Sequence, residues 1–120
     1  MKLLILLILL IPLPTQAPEA IIEPTVANIE TVEVRTTCYL WTGNPMANGK
    51  YPEYGYVATS DRTIPFGTEI IIDGETFIVG DRTNKRFMSF EIPTIDIYWE
   101  GSRESCLEYG VQFKNVIIKL

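Results

Sequence analysis

Three aspartates, Asp61, Asp81 and Asp96, occupy positions from which a carboxylate can move protons. Asp61 and Asp81 bracket the stretch "DRTIPFGTEIIIDGETFIVGD", one just outside each of two apolar runs. Asp96 sits between Ile95 and Ile97 in "TIDIYW". The chain has no histidine, which removes imidazole metal ligands and every Ser-His or Cys-His nucleophile pair. Acid–base chemistry near neutral pH then falls to a carboxylate with a raised pKa, or to Lys, Tyr or Cys. Two carboxylates held close meet that need, because one ionised group raises the pKa of its neighbour. Each aspartate also has an ordinary reading. Asp in a turn before proline is common, which covers Asp61, and Asp81 can pair with Arg82 or Arg86. Neither a metal nor a cofactor is expected.

The elements that must position these groups are strands. "TEIII" and "ETFIVG" flank Asp73-Gly74, and a two-residue Asp-Gly between β runs marks a tight hairpin whose turn residues both need φ > 0. That turn pairs Ile72 with Glu75 and Ile70 with Phe77, and places Thr68 near Val79. Asp61 and Asp81 then approach each other at the hairpin's open end. Ile70, Ile72, Phe77 and Val79 are assigned to different faces, so the hairpin is expected to be covered on both sides. Further strands are expected at 31–40, 56–60, 94–99 and 111–120 from their alternation. If Ile95 and Ile97 face the core, Asp96 faces a groove or solvent. "SRESCLEYG", 102–110, reads as one short helix, with Ser102 as N-cap and Gly110 at its end. Residues 41–55 form a long loop rich in Gly, Pro and Asn, and loops of that length are often functional. Six strands with one short helix near the C-terminus predict an all-β fold, closed into a barrel because closure removes exposed edges.

The 120 residues bound this to one small domain. Residues 1–17 carry one lysine, a short apolar run and "TQA", the pattern of a secretory signal peptide; a retained membrane anchor is the alternative. Residues 18–30 read as a linker and 31–120 as the barrel domain. Without residues 1–17, fifteen acidic and nine basic side chains leave a net charge of −6. An acidic chain repels phosphate backbones, so nucleic acid is excluded as a partner. Membrane contact is expected only through an uncleaved 1–17, and the domain is expected to be a monomer. Cys38 and Cys106 are an even pair in a chain read as exported, which suggests a disulfide; two buried free thiols are the other reading.

"MANG" (46–49), "GYVATSDRTIPFGTEIII" (55–72), "VGDRTN" (79–84), "TIDIYW" (94–99) and "YG" (109–110) occur in an order and spacing that resembles the three-aspartate domain of bacterial and phage cell-wall proteins. "DRTIPFGT" followed by "GDRT" also resembles rare lipoprotein A. The wider group includes membrane-bound lytic transglycosylase A, expansins and small endoglucanases. The resemblance covers about residues 34–120 and implies a six-stranded double-psi β-barrel. Asp81 matches the aspartate that opens the family's "D-T-G-G" or "D-R-G" motif, and Asp96 that of its later "I-D" motif. The family's first aspartate falls on Ser60 here. Asp61, one position later, matches the histidine of the rare-lipoprotein-A pattern. The usual Gly-Gly after Asp81 is replaced by "RTNKR".

What the resemblance implies is an exported, periplasmic or wall-associated domain that cleaves peptidoglycan glycan as a lytic transglycosylase. One carboxyl, assigned to Asp96, protonates the glycosidic oxygen and then takes a proton from the substrate's own C6 hydroxyl, which closes a 1,6-anhydro ring. Asp81 and Asp61 would tune charge and orientation. Inverting hydrolysis would instead need a second carboxylate about 6.5–9.5 Å away to hold a water. Trp41, Tyr51, Tyr54 and Trp99, with Tyr39 and Tyr98, are candidates for sugar stacking or for core packing. Arg82 and Arg86 are candidates for holding carboxylates of muramyl lactyl groups or stem peptides, with solvated loop charges as the alternative, and Asn84 is a further candidate for substrate binding. A non-catalytic wall-glycan-binding or wall-loosening module is the competing function.

Overall fold

The computed structural model describes residues 28–120. The signal-peptide reading of 1–17, and linker residues 18–27, lie outside the described residues. Six strands close into a barrel in the order β1-β5-β2-β4-β3-β6. They are β1 (Ile29–Tyr39), β2 (Tyr56–Thr59), β3 (Glu69–Ile72), β4 (Glu75–Arg82), β5 (Thr94–Tyr98) and β6 (Gln112–Lys119). One helix, α1 (Arg103–Tyr109), precedes β6, and a 3-10 helix (Lys85–Ser89) follows β4. Two neighbours pair in parallel, β1 with β5 and β2 with β4; the other four pairings are antiparallel. β1 begins two residues before the barrel domain was expected to start at 31. Ile29 and Glu30 extend it because β6 offers Lys119 and Ile118 as partners.

Alternation builds the interior. Val34, Val57, Ile70, Phe77, Val79, Ile95, Ile97, Val116 and Ile118, with members from all six strands, form one core cluster. Burying each such side chain stabilises the fold by about 1.5–3 kcal/mol relative to exposure. The Asp73-Gly74 hairpin has the expected register, Ile72 with Glu75 and Ile70 with Phe77, and both turn residues have positive φ. Its expected two-sided cover is corrected. Ile70, Ile72, Phe77 and Val79 are all buried inside the barrel, whereas Ile78 is 40% exposed. Residues directly opposite on paired strands share a face, so Ile70 and Phe77 had to point the same way.

α1 is capped as its sequence indicates. The Ser102 side chain accepts from the Ser105 N–H, and the Gly110 N–H closes onto Cys106 O. The helix is tied to the barrel by the Cys38–Cys106 disulfide, with Cα atoms 5.9 Å apart, and by the Tyr109 hydroxyl, which donates to Thr36 Oγ1 at 2.8 Å. Among the described residues no helix is long and apolar enough to cross a membrane.

Candidate functional site

Four side chains line up across neighbouring strands. Thr37 of β1 pairs with Asp96 of β5, Asp96 pairs with Ala58 of β2, and Ala58 pairs with Asp81 of β4. The outward turn of Asp96 follows from alternation, since Ile95 and Ile97 are both in the core. Asp81 arrives by a different device. Val57 pairs with Val79, but Ala58 pairs with Asp81, so β4 carries one extra residue, Gly80. A bulge of this kind re-aims the next side chain. Without it Gly80 would face Ala58, and Asp81 would fall on the same inward parity as Val79.

Gly80 also admits the 46–49 loop. A Cβ there would lie 2.8 Å from Tyr56 Cδ1, 3.0 Å from Asn48 Nδ2 and 3.1 Å from Met46 Cε. The Asn48 N–H donates to Gly80 O at 3.1 Å, and this docking brings the Ala47 N–H to Asp81 Oδ1 at 2.9 Å. The Arg82 N–H donates to the same oxygen at 2.8 Å, and the Tyr39 hydroxyl donates to Asp81 Oδ2 at 3.3 Å. Asp81 is thus held as an acceptor by three donors.

Between the two aspartates lies an open cleft of about 290 Å3, floored by Ala58 and walled by Tyr39, Asn44, Met46 and Phe87. Two strand spacings separate Asp81 from Asp96, about 9–10 Å between their Cα positions. Ala58 has only a methyl group to place between them. Asp96 is half-buried, and burial pushes its carboxyl up to about 6. The charge of Asp81 adds to that rise, while the Thr37 hydrogen bond and then Arg35 oppose it. Thr37 Oγ1 donates to Asp96 Oδ1 at 2.8 Å. No buried side-chain oxygen is left unpartnered among the described residues, so the other oxygen of Asp96 reaches the cleft. Burial first, then the charges of Asp81 and Asp96, hold the Tyr39 phenol well above its ordinary range. It remains a neutral donor at any physiological pH.

The other candidates divide between this cleft and other places. Asp61 does not meet Asp81 at a shared mouth. Its Oδ1 accepts from the N–H and Oγ1 of Thr63 at 2.9 and 2.6 Å, the turn role open to any Asp in that position, and it lines a separate cavity of about 240 Å3 with Glu30, Val34 and Ile118. Ser60, at the position of the family's first aspartate, is buried and accepts the Thr94 N–H at 2.8 Å.

Arg82 lines the cleft, but its Nη2 donates to Ile64 O at 2.7 Å and its guanidinium stacks 4.3 Å from the Phe66 ring centre. It pins the 61–66 turn and forms no salt bridge with Asp81; the ion pairs among the described residues are Lys114–Asp73 and Lys119–Glu69. Asn84 also lines the cleft and caps the 3-10 helix by accepting the Arg86 N–H at 3.0 Å. Trp41 and Tyr51 are exposed and lie against each other as a tilted pair, ring centres 5.9 Å apart. Tyr54 and Trp99 line a third cavity of about 220 Å3 near α1, and the Trp99 indole N–H is held by Ser105 Oγ at 2.9 Å.

Thr37, Arg35 and Ala58 were not singled out from the sequence. Thr37 and Arg35 reach the site through the parallel β1–β5 pairing and Ala58 through the pairing of β2 with β5 and β4, and alternation does not encode which strands pair. No family model, curated protein or solved structure matches the chain.

Proposed function

We propose that this barrel is an exported cell-wall domain of the three-aspartate and rare-lipoprotein-A kind, with the double-psi topology of that group, and that it cleaves peptidoglycan glycan as a lytic transglycosylase. The observation that carries the reading is one half-buried carboxyl, Asp96, raised to about 6 beside a second carboxylate in an open cleft. A group with that value holds enough proton near neutrality to act as an acid and yields a competent base once ionised. Asp96 gives its proton to the glycosidic oxygen as the bond to the anomeric carbon breaks. It then accepts the proton of the sugar's C6 hydroxyl, whose oxygen bonds to that carbon. Asp81, fixed by three donors, supplies the negative charge that stabilises the oxocarbenium-like centre. Ala58 leaves room for the ring between them. The disulfide is compatible with an oxidising, extracytoplasmic compartment.

A glycan-binding module without cleavage is the second reading. It is favoured by the exposed Trp41–Tyr51 pair and by "RTNKR" after Asp81, where glycine would let a polymer approach. Mass spectrometry of soluble products from purified peptidoglycan separates the two. Anhydro-muropeptides from the wild type and none from Asp96→Asn are the expected result. Hydrated reducing ends would mean hydrolysis, and protein that pellets with sacculi without releasing products would leave the binding module.

A further inference from the structure

Among the described residues Arg35 is a cation without a salt-bridge partner. It stands on β1 opposite Thr94 of β5, two positions before Thr37, which is opposite Asp96. Residues two apart on a strand share a face, so Arg35 and Asp96 occupy one face as diagonal neighbours, a separation that long side chains span. Its Nη1 is 3.5 Å from Thr94 Oγ1. Its guanidinium carbon lies 5.5 Å from the ring centres of both Phe87 and Phe90, which pack edge to face on each other at 5.6 Å. None of the described carboxylates forms a salt bridge with it. Aromatic faces hold a planar cation in place without neutralising it, so its charge remains available to the cleft.

The same stacking secures the cleft wall. The 3-10 helix has no buried residue of its own, yet it supplies Phe87 to the cleft. Arg35 therefore joins two parts of the site.

We propose that Arg35 is a positioning residue for Asp96: its fixed charge favours the ionised carboxylate, and its stacking on Phe87 and Phe90 holds the 3-10 helix as the cleft's wall. The inference rests on reading Asp96 as the titrating group of the cleft. The groups that face Asp96 are few. β1 contributes Arg35 and Tyr39, and β4 contributes Asp81 with Arg82. β2 contributes uncharged Ala58, and Tyr98 lies on the same strand. The 3-10 helix contributes Phe87, with Arg86 stacked 4.7 Å from that ring, and the 42–52 loop lines the cleft with uncharged residues. Burial and Asp81 favour the protonated acid, whereas Arg35 and Thr37 favour the anion. Arg35 is thus the fixed positive charge on β1 that limits how far the other two prevail.

Two variants separate its two roles. Arg35→Met keeps apolar contact with the rings and loses the charge. Arg35→Lys keeps the charge and loses the planar stacking. The full chain is titrated by carbon-13 NMR of its side-chain carboxyls, with Asp96→Asn identifying the Asp96 signal. In Arg35→Met the Asp96 midpoint is expected to rise by about 0.5–1 pH unit, at or just below the low end of the shift for a charge in direct contact, because Arg35 is a diagonal neighbour. In Arg35→Lys it stays near wild type, while amide exchange over 85–89 accelerates several-fold. An unchanged or lowered midpoint in Arg35→Met, an equal rise in Arg35→Lys, or unaltered exchange in Arg35→Lys overturns the assignment. Should Arg35→Met lose its cooperative melt, Arg35→Gln is titrated in its place. The measurement needs no substrate, so failure to cleave glycan and failure of this inference are read separately.

Discussion

Asp96→Asn should make the protein more stable at neutral pH, and the gain should disappear in acid. The ordinary carboxyl value of 3.8 becomes about 6 inside the fold, chiefly through burial. Below about pH 4 folded and unfolded chains both hold the Asp96 proton, and ionisation costs nothing. Between 4 and 6 the unfolded chain releases its proton while the folded chain keeps it. The unfolded state then binds fewer protons, so wild-type stability falls as pH rises. Above about pH 6 the full difference applies, about 3 kcal/mol against the fold. Asparagine removes that term while its side-chain oxygen can still accept from Thr37. Urea denaturation of wild type and Asp96→Asn at half-unit steps from pH 4 to 8 measures the difference. Most other titrating groups are common to both proteins and cancel. The expected curve is near zero at pH 4 and climbs through pH 5–6 to a gain of about 1–3 kcal/mol at pH 8. A flat difference, or one that falls with pH, would refute the claim that the fold holds this carboxyl in its protonated form.

Three other outcomes follow from the same geometry. Gly80→Ala places a methyl group 2.8 Å from the Tyr56 ring; calorimetry should show a loss of about 1–3 kcal/mol, and the Ala47 amide, displaced from Asp81, should exchange faster. Ala58→Leu fills the floor between Asp81 and Asp96, so sedimentation with sacculi and glycan cleavage by the folded protein should both drop at least tenfold; Ala58 is buried, so denaturation should also show a loss of about 1–3 kcal/mol. Replacing Cys38 and Cys106 by serine opens a closed loop with a sequence separation of 68; denaturation should report about 4 kcal/mol of lost stability, the chain-entropy value for that length, and a loss under 1 kcal/mol would mean the unfolded chain is already constrained.

Much of the positioning was legible locally. The Asp73-Gly74 turn sets the β3–β4 register because only a few turns match the twist of two strands. Ser102 and Gly110 bound α1 because helix ends must satisfy their free N–H and C=O groups. The flanking isoleucines turn Asp96 outward because strand side chains alternate. The same rule misled where it was applied without the partner strand. Ile70 and Phe77 are opposite each other and share the core, although they were assigned to different faces. The 3-10 helix at 85–89 gave little warning, since a single capped turn with no buried face leaves no period to read.

The sequence by itself determined which residue types were available, which segments were strands, and that no imidazole takes part in any proton chemistry. Tertiary structure alone decided which carboxylates share a site. Alternation reports the face of a strand but not its neighbour. The β1–β5 and β2–β4 parallel pairs, which no hairpin dictates, put Thr37, Asp96, Ala58 and Asp81 in one row. The bulge at Gly80 then inverts the parity of β4 at the one residue where it matters. Asp61, close to that row in sequence terms, was carried to another cavity by a turn held through Thr63 and Arg82. Contacts between residues far apart in the chain are selected by the packing of the closed barrel, and that selection exists only once the whole chain has folded.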